Sequence, residues 1–248
     1  MRACLQRISK DYADGQKLRL NYEALTADYS KVFYYDALPE RASGETEGEY
    51  MARTSAERSL FDQLSSLDRF HVYEGDVRRS RSRRGPEQKK IDVMIAVDML
   101  THSFRRNMQQ ATLLTGDLDF KPLIDALVQE GMFVSLWFPP DETSKELKSA
   151  ADQSRRFTVY NVHEAMYEPK QFTIPKGVSE NSKGEYAKVL KAWTVEGRTA
   201  RLMMDNDNFI VEMPDAHSPG MVTYFSHPKE TILRNFVKEV YGWVIPST

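Results

Sequence analysis

The stretch Thr115-Gly116-Asp117-Leu118-Asp119-Phe120 constrains this chain more than any other. An apolar run, Ala111 to Leu114, precedes it and reads as a short buried strand. Phe120, Leu123, Ile124, Leu127 and Val128 follow at helical spacing, with Pro122 in the first turn, where the missing N–H is tolerated. Two carboxylates therefore sit on a strand-to-helix turn. In a parallel α/β sheet that turn lies at the carboxyl end of the strand, where such folds place ligands. Gly116 lets the backbone turn sharply. Two uses of the pair stand open. Asp119 caps the helix and Asp117 closes the turn, or both point at a divalent cation, since Mg²⁺ and Mn²⁺ take carboxylate oxygens.

The 248 residues suffice for one large domain or two modest ones, and the net charge of -2 advertises no general affinity for nucleic acid. A basic surface must therefore be local. Cys4 is the one cysteine, so neither a disulfide framework nor a cysteine metal site forms within the chain. His71, His102, His163, His217 and His227 are scattered without zinc-ligand spacing. No apolar run reaches membrane-spanning length and no signal peptide is visible, which makes a cytoplasmic location the default.

In chain order, a helical stripe runs through Cys4, Leu5, Ile8 and Tyr12. A short helix over 20–27 and a strand over 31–35 follow, then a polar loop over 43–49 and a helix over about 49–67. Phe70 to Tyr73 reads as a second strand. Arg78, Arg79, Arg81, Arg83 and Arg84 fall within seven residues, with Lys90 beyond them. Such a run is either a solvated surface segment or a contact for phosphates. Lys90 to Leu100 is apolar nearly all round, which predicts a buried helix, yet it carries Asp92 and Asp98. A buried charge needs a partner or a metal. Six residues make about one and two-thirds turns, so the two do not share a face. Asp92, at the helix N-terminus, ranks first as a site residue, and Arg105 or Arg106 is the expected partner of Asp98.

Strands are expected at 132–138 and 157–160, with a helix over 144–153 between them. The alternation means a mostly parallel sheet covered on both faces. After a linker at 168–176 the pattern changes. A short helix over 185–193, strands over 200–204 and 209–213 joined by a polar hairpin turn, a third strand over 222–225 and a helix over 231–241 make a small α+β module.

By Asp119 the order of features resembles the NYN domain family, a branch of the PIN-like metal-dependent ribonucleases, and its LabA-like members in particular. The resemblance rests on Val32-Phe33-Tyr34-Tyr35-Asp36-Ala37, on Lys90 through Leu100, on Leu113 through Ile124 and on Leu147 through Asp152. It covers residues 1–165 and leaves 172–248 as a C-terminal α+β module of unknown role. It implies a PIN-like three-layer α/β/α fold with a mostly parallel sheet, an acidic cluster binding Mg²⁺ or Mn²⁺, and hydrolysis of an RNA phosphodiester. Asp92, Asp117 and Asp119 match the family's acidic positions and Asp98 a further recurrent aspartate. The family's first strand, which ends in an aspartate followed by glycine, has no match here, and Asp14-Gly15 does not replace it. The expectation is a chain incomplete at its N-terminus, or one that has lost the strand and exposes an edge open to another copy of itself.

Three functions compete on this reading. The first is a metal-dependent ribonuclease using Asp92, Asp117 and Asp119, with Arg78, Arg79, Arg81, Arg83, Arg84 and Lys90 on the RNA. The second is an RNA-binding or regulatory protein on the same scaffold, impaired in turnover by the absent first-strand aspartate. The third, a phosphotransferase or glycosyltransferase using Asp117-Leu118-Asp119 as a metal motif, lacks the accompanying fold signals.

Overall fold

The computed structural model describes residues 1–75, 86–140, 143–168, 172–178, 187–215, 218 and 220–246, with 86–90 as backbone alone. The chain divides into two compact units. One comprises 22–136 and 144–154, the other 1–21, 137–143 and 155–248.

The first of these is α/β. After a one-turn helix α1 (Tyr22–Leu25), strand β1 (Val32–Ala37) pairs in parallel with β2 (Phe70–Gly75), in register from Val32 opposite Phe70 to Ala37 opposite Gly75. The single helix expected between them is two, α2 (Glu47–Arg53) and α3 (Ser55–Ser65). A capping box of Thr46 and Glu49 starts α2. Its end falls at Thr54, whose buried hydroxyl donates to the Tyr50 carbonyl at 2.8 Å, a local bond that competes with the helix ladder. Phe61 and Leu64 on α3 are buried, and the Phe61 ring meets Tyr34 edge-on at 6.3 Å. Helix α3 therefore covers the Tyr34 face of β1.

Helix α4 (Pro86–Phe104) takes the other face. The Tyr35 hydroxyl donates to Asp98, and the Phe33 ring lies 5.2 Å from His102. The expectation of a buried helix is wrong. No residue from Ile91 to Leu100 is buried, and Val93 and Val97 are 60% and 55% exposed. One stripe, through Ile91, Asp98 and His102, meets the strands, and Val93 and Val97 lie on the side turned away from it.

Strand β3 (Gln110–Leu114), helix α5 (Lys121–Gln129), strand β4 (Phe133–Phe138), helix α6 (Lys145–Ala150) and strand β5 (Gln153–Arg156) complete the alternation. Leu123, Ile124 and Leu127 of α5 are buried, as their spacing predicts. The sheet β3-β4-β5 is parallel and separate from β1-β2, and the division between units passes through β4 and β5. The strand expected at 157–160 is absent. It is replaced by β5 and then by α7 (Val159–Glu164), opened by a capping box of Thr158 and Asn161. A threonine three residues before a side-chain amide is a helix start, and the apolar run behind it read as a strand only on hydropathy.

The other unit holds an N-terminal helix, αN (Arg2–Tyr12), α7 and a five-stranded antiparallel sheet. Its strands are β6 (Lys176–Val178), β7 (Lys188–Val195), β8 (Arg198–Asp205), β9 (Asn208–Pro214) and β10 (Val222–His227), in the order β6-β10-β9-β8-β7. Of the helix expected over 185–193, residues 188–193 lie in strand β7, and 185–186 lie outside the described residues. Val189, Trp193, Thr194 and Val195 favour a pleated surface, and pairing with β8 across the Glu196-Gly197 turn decides the matter. The hairpin turn between β8 and β9 is as expected, with Asn206 at positive φ. Helix α8 (Glu230–Phe236) continues into a π-helical turn, Val237–Tyr241.

His227 closes β10. Its Nδ1 accepts from the Lys229 N–H at 2.9 Å, its Nε2 lies 2.8 Å from the Thr173 hydroxyl, and the residue is buried. Burial holds its pKa below the ordinary histidine value. Unfolded chains then bind the proton first as pH falls, so the stability this site contributes is present above about pH 6.5 and is lost as pH drops through the lowered folded value. Urea midpoints at pH 7 and pH 5 should fall further on acidification for the native chain than for His227→Gln.

Candidate active site

The acidic turn is built from its own backbone. The Thr115 hydroxyl accepts from the Asp117 N–H at 3.1 Å, and Asp117 Oδ1 accepts from the Asp119 N–H at 2.9 Å. Asp117 thereby caps a short 3₁₀ turn, Leu118–Phe120, ahead of α5. The capping role falls to Asp117, whereas α5 starts without a side-chain cap. Both carboxylates are exposed.

Asp92, in the first half of α4, is partly buried. Its carboxyl is held above the usual range, first by burial and then by the negative charges of Asp117 and Asp119. Three aspartates from a helix and a turn far apart in sequence thus share one electrostatic field. Two elements place them there: the turn at the carboxyl end of β3, and the N-terminal half of α4.

Asp98 is engaged elsewhere. Its Oδ2 accepts from the Tyr35 hydroxyl at 2.8 Å, so the donor is a tyrosine of β1 where an arginine was expected. Burial, and after it the Asp98 carboxylate, push the Tyr35 hydroxyl well above its ordinary pKa. The alternation of β1 contains the signal, because Phe33 and Tyr35 must point to the face opposite Tyr34. Asp36, at the end of β1, accepts from the Tyr34 hydroxyl at 3.1 Å and from the Ala37 N–H at 2.9 Å.

The donor chemistry suits a hard divalent cation, but the placement does not. Among the described residues no three histidine, cysteine, aspartate or glutamate side chains converge to hold a metal ion. Arg78, Arg79, Arg81, Arg83 and Arg84, and the side chain of Lys90, lie outside the described residues.

Gly75 sets how closely α4 approaches β2. A Cβ there would stand 2.8 Å from Ile91 Cδ1 and 3.1 Å from Ala37 Cβ. Gly75→Val should push Ile91, and with it Asp92, away from the strand end. The expected loss of stability is about 1–3 kcal/mol, typical of overpacking, read by thermal denaturation.

An α/β unit with an acidic turn at the carboxyl end of a parallel strand is the PIN-like class of fold. The NYN domain profile matches residues 12–158, more than half of the 248, and the chain belongs to the NYN domain family. A crystal structure of a protein of unknown function from Vibrio parahaemolyticus RIMD 2210633 is similar at a TM-score of 0.45 and 16% identity, covering 63% of this chain and 88% of that one. No curated protein matches the chain. No helix among the described residues is long and apolar enough to cross a membrane.

Proposed function

We propose that this NYN domain is a ribonuclease that hydrolyses RNA phosphodiester bonds at the carboxyl end of β3, within the LabA-like branch and in the cytoplasm. The observation that carries the reading is the shared field of Asp92, Asp117 and Asp119. Such a field repels an RNA phosphate unless positive charge offsets it. Arg78, Arg79, Arg81, Arg83, Arg84 and Lys90 are the residues we assign to that task. Mg²⁺ or Mn²⁺ is the cofactor of this reading, with Asp92, Asp117, Asp119 and Asp98 as its candidate ligands. As placed, those aspartates do not converge on an ion, and no step of the hydrolysis is assigned to one.

The same lack of convergence favours a second reading, an RNA-binding or regulatory protein without turnover. Incubating the chain with mixed cellular RNA, with Mg²⁺, with Mn²⁺ and with chelator, separates the two. Cleavage that chelator removes supports the nuclease. RNA binding without cleavage in any buffer supports the second reading.

Replacing Arg78, Arg79, Arg81, Arg83 and Arg84 with serine should weaken RNA binding under either reading. Each lost phosphate contact should flatten the dependence of log affinity on log salt by roughly 0.7 for single strands. An unchanged slope in fluorescence anisotropy would return the run to a solvated surface.

A further inference from the structure

We propose that His71 and Tyr73 of β2 form a stacking track for the unpaired bases of a single-stranded RNA, one base on the outer face of each ring. The inference rests on the RNA reading above and names the form of RNA that the α/β unit takes.

The strand register makes the track. Phe33 stands opposite His71 and Tyr35 opposite Tyr73, so all four rings project from one face of β1-β2. They pair across the strands. Phe33 and His71 lie 5.1 Å apart with 23° between their planes, and Tyr35 and Tyr73 lie 4.9 Å apart with 12°. Both separations are close to the interstrand spacing of about 4.8 Å, so the rings stand upright and face one another along the direction of strand pairing. Each β2 ring thereby gives one face to its β1 partner and turns the other past the strand. β2 pairs with β1 alone, and among the described residues no strand lies on that outer side. His71 is exposed and Tyr73 half-buried. Cross-strand aromatic pairing accounts for the inner ring faces and leaves the outer ones unused.

The spacing selects the ligand. His71 and Tyr73 are two residues apart, roughly 6.6 Å along the strand. Bases in a duplex rise about 3.4 Å per nucleotide of each strand. Two bases seated on these rings are therefore unstacked from each other, which a single strand accommodates and a duplex does not. Stacking of this kind is tolerant of sequence, because every base has a π-face.

Both ends of the track suit a nucleic acid. Gly75 is the next residue of the same face. A Cβ there would stand 2.8 Å from Ile91 Cδ1, and Ile91 adjoins Asp92. A strand laid over His71 and Tyr73 thus leads toward the acidic field. At the other end the His102 ring lies 5.2 Å from Phe33, and Arg105 and Arg106 follow it in the chain, both exposed. Tyr35 is the donor to Asp98, which leaves these two guanidiniums for phosphates.

Fluorescence anisotropy of the full chain with a short labelled adenosine-rich RNA tests the track. Chelator is present throughout, so turnover plays no part. His71→Ala and Tyr73→Leu should each weaken binding about fivefold or more, the loss of one base stack. The dependence of log affinity on log salt should keep its slope, because stacking releases no counterions. His71→Phe and Tyr73→Phe retain a π-face and should bind as the native chain does. Leucine keeps an apolar contact with Tyr35, and circular dichroism checks the fold. His71 is exposed, so His71→Ala alone carries the test if the leucine variant does not fold. The same RNA annealed to its complement should bind the native chain and the ring variants equally. Ring variants that bind the single strand as the native chain does overturn the track and leave the nuclease reading standing. An equal loss for the duplex, or a loss in the phenylalanine variants as large as in His71→Ala, overturns it as well. A native chain that binds no RNA overturns both the track and the reading beneath it.

Discussion

Asp117→Asn combined with Asp119→Asn should leave the fold in place and cut RNA cleavage by roughly 10²-fold or more, the scale of losing a catalytic acid or base. The fold survives because asparagine keeps a side-chain carbonyl oxygen. At position 117 that oxygen can still accept the bond that Asp117 Oδ1 takes from the Asp119 N–H at 2.9 Å. Only the two negative charges disappear. A second readout is independent of turnover. Asp117 and Asp119 both raise the Asp92 carboxyl, so the double variant should bring it down toward the ordinary aspartate range, leaving burial as its main perturbation. Carbon-detected NMR titration of Asp92 measures this. Wild-type cleavage by the variant, with Asp92 shifted as expected, would remove the turn from catalysis while upholding the geometry.

The acidic turn was legible because it is local. Ala111 to Phe120 holds an apolar run, a glycine, two carboxylates and a helical stripe within one short window. The α5 core of Leu123, Ile124 and Leu127 was legible for the same reason. What the sequence concealed depends on partners distant along the chain. Asp98 is bonded by Tyr35, sixty-three residues away, and no local pattern names that donor over a nearby arginine. Helix α4 has the composition of a buried element, but burial is set by what surrounds it, and Val93 and Val97, on the side turned from the strands, are exposed. Strand β7 resembled a helix because its Glu185-to-Trp193 window mixes apolar and charged residues at both periods. Its ladder with β8 supplies the deciding bonds. The convergence of the aspartates is likewise a tertiary property. Residue type left a cation site open, and among the described residues the placement does not close one.

Glu239→Ala should strongly destabilise the unit that holds αN. The carboxylate is 2% exposed and gathers three segments. Tyr12 of αN donates its hydroxyl to Oε2 at 2.7 Å, Arg7 of αN donates to Oε1 at 3.1 Å, and the Val159 N–H at the start of α7 donates to Oε1 at 2.8 Å. Truncation leaves the Tyr12 hydroxyl and the Val159 N–H without this buried acceptor. Each buried donor left without its acceptor costs about 1–3 kcal/mol. Glu239→Gln keeps the shape and one carbonyl acceptor, so it should lose less. The two also differ in pH dependence. Burial raises the Glu239 carboxyl, outweighing the lowering by Tyr12, Arg7 and Val159. The folded chain therefore holds a proton that the unfolded chain has released. Its stability should decline as pH rises from the ordinary glutamate value, about 4.3, through the raised folded one. Glutamine has no proton to release and should abolish that decline. Urea unfolding of the native chain, Glu239→Ala and Glu239→Gln across this range checks both claims. A Glu239→Ala midpoint equal to the native one would show that the three donors find other acceptors.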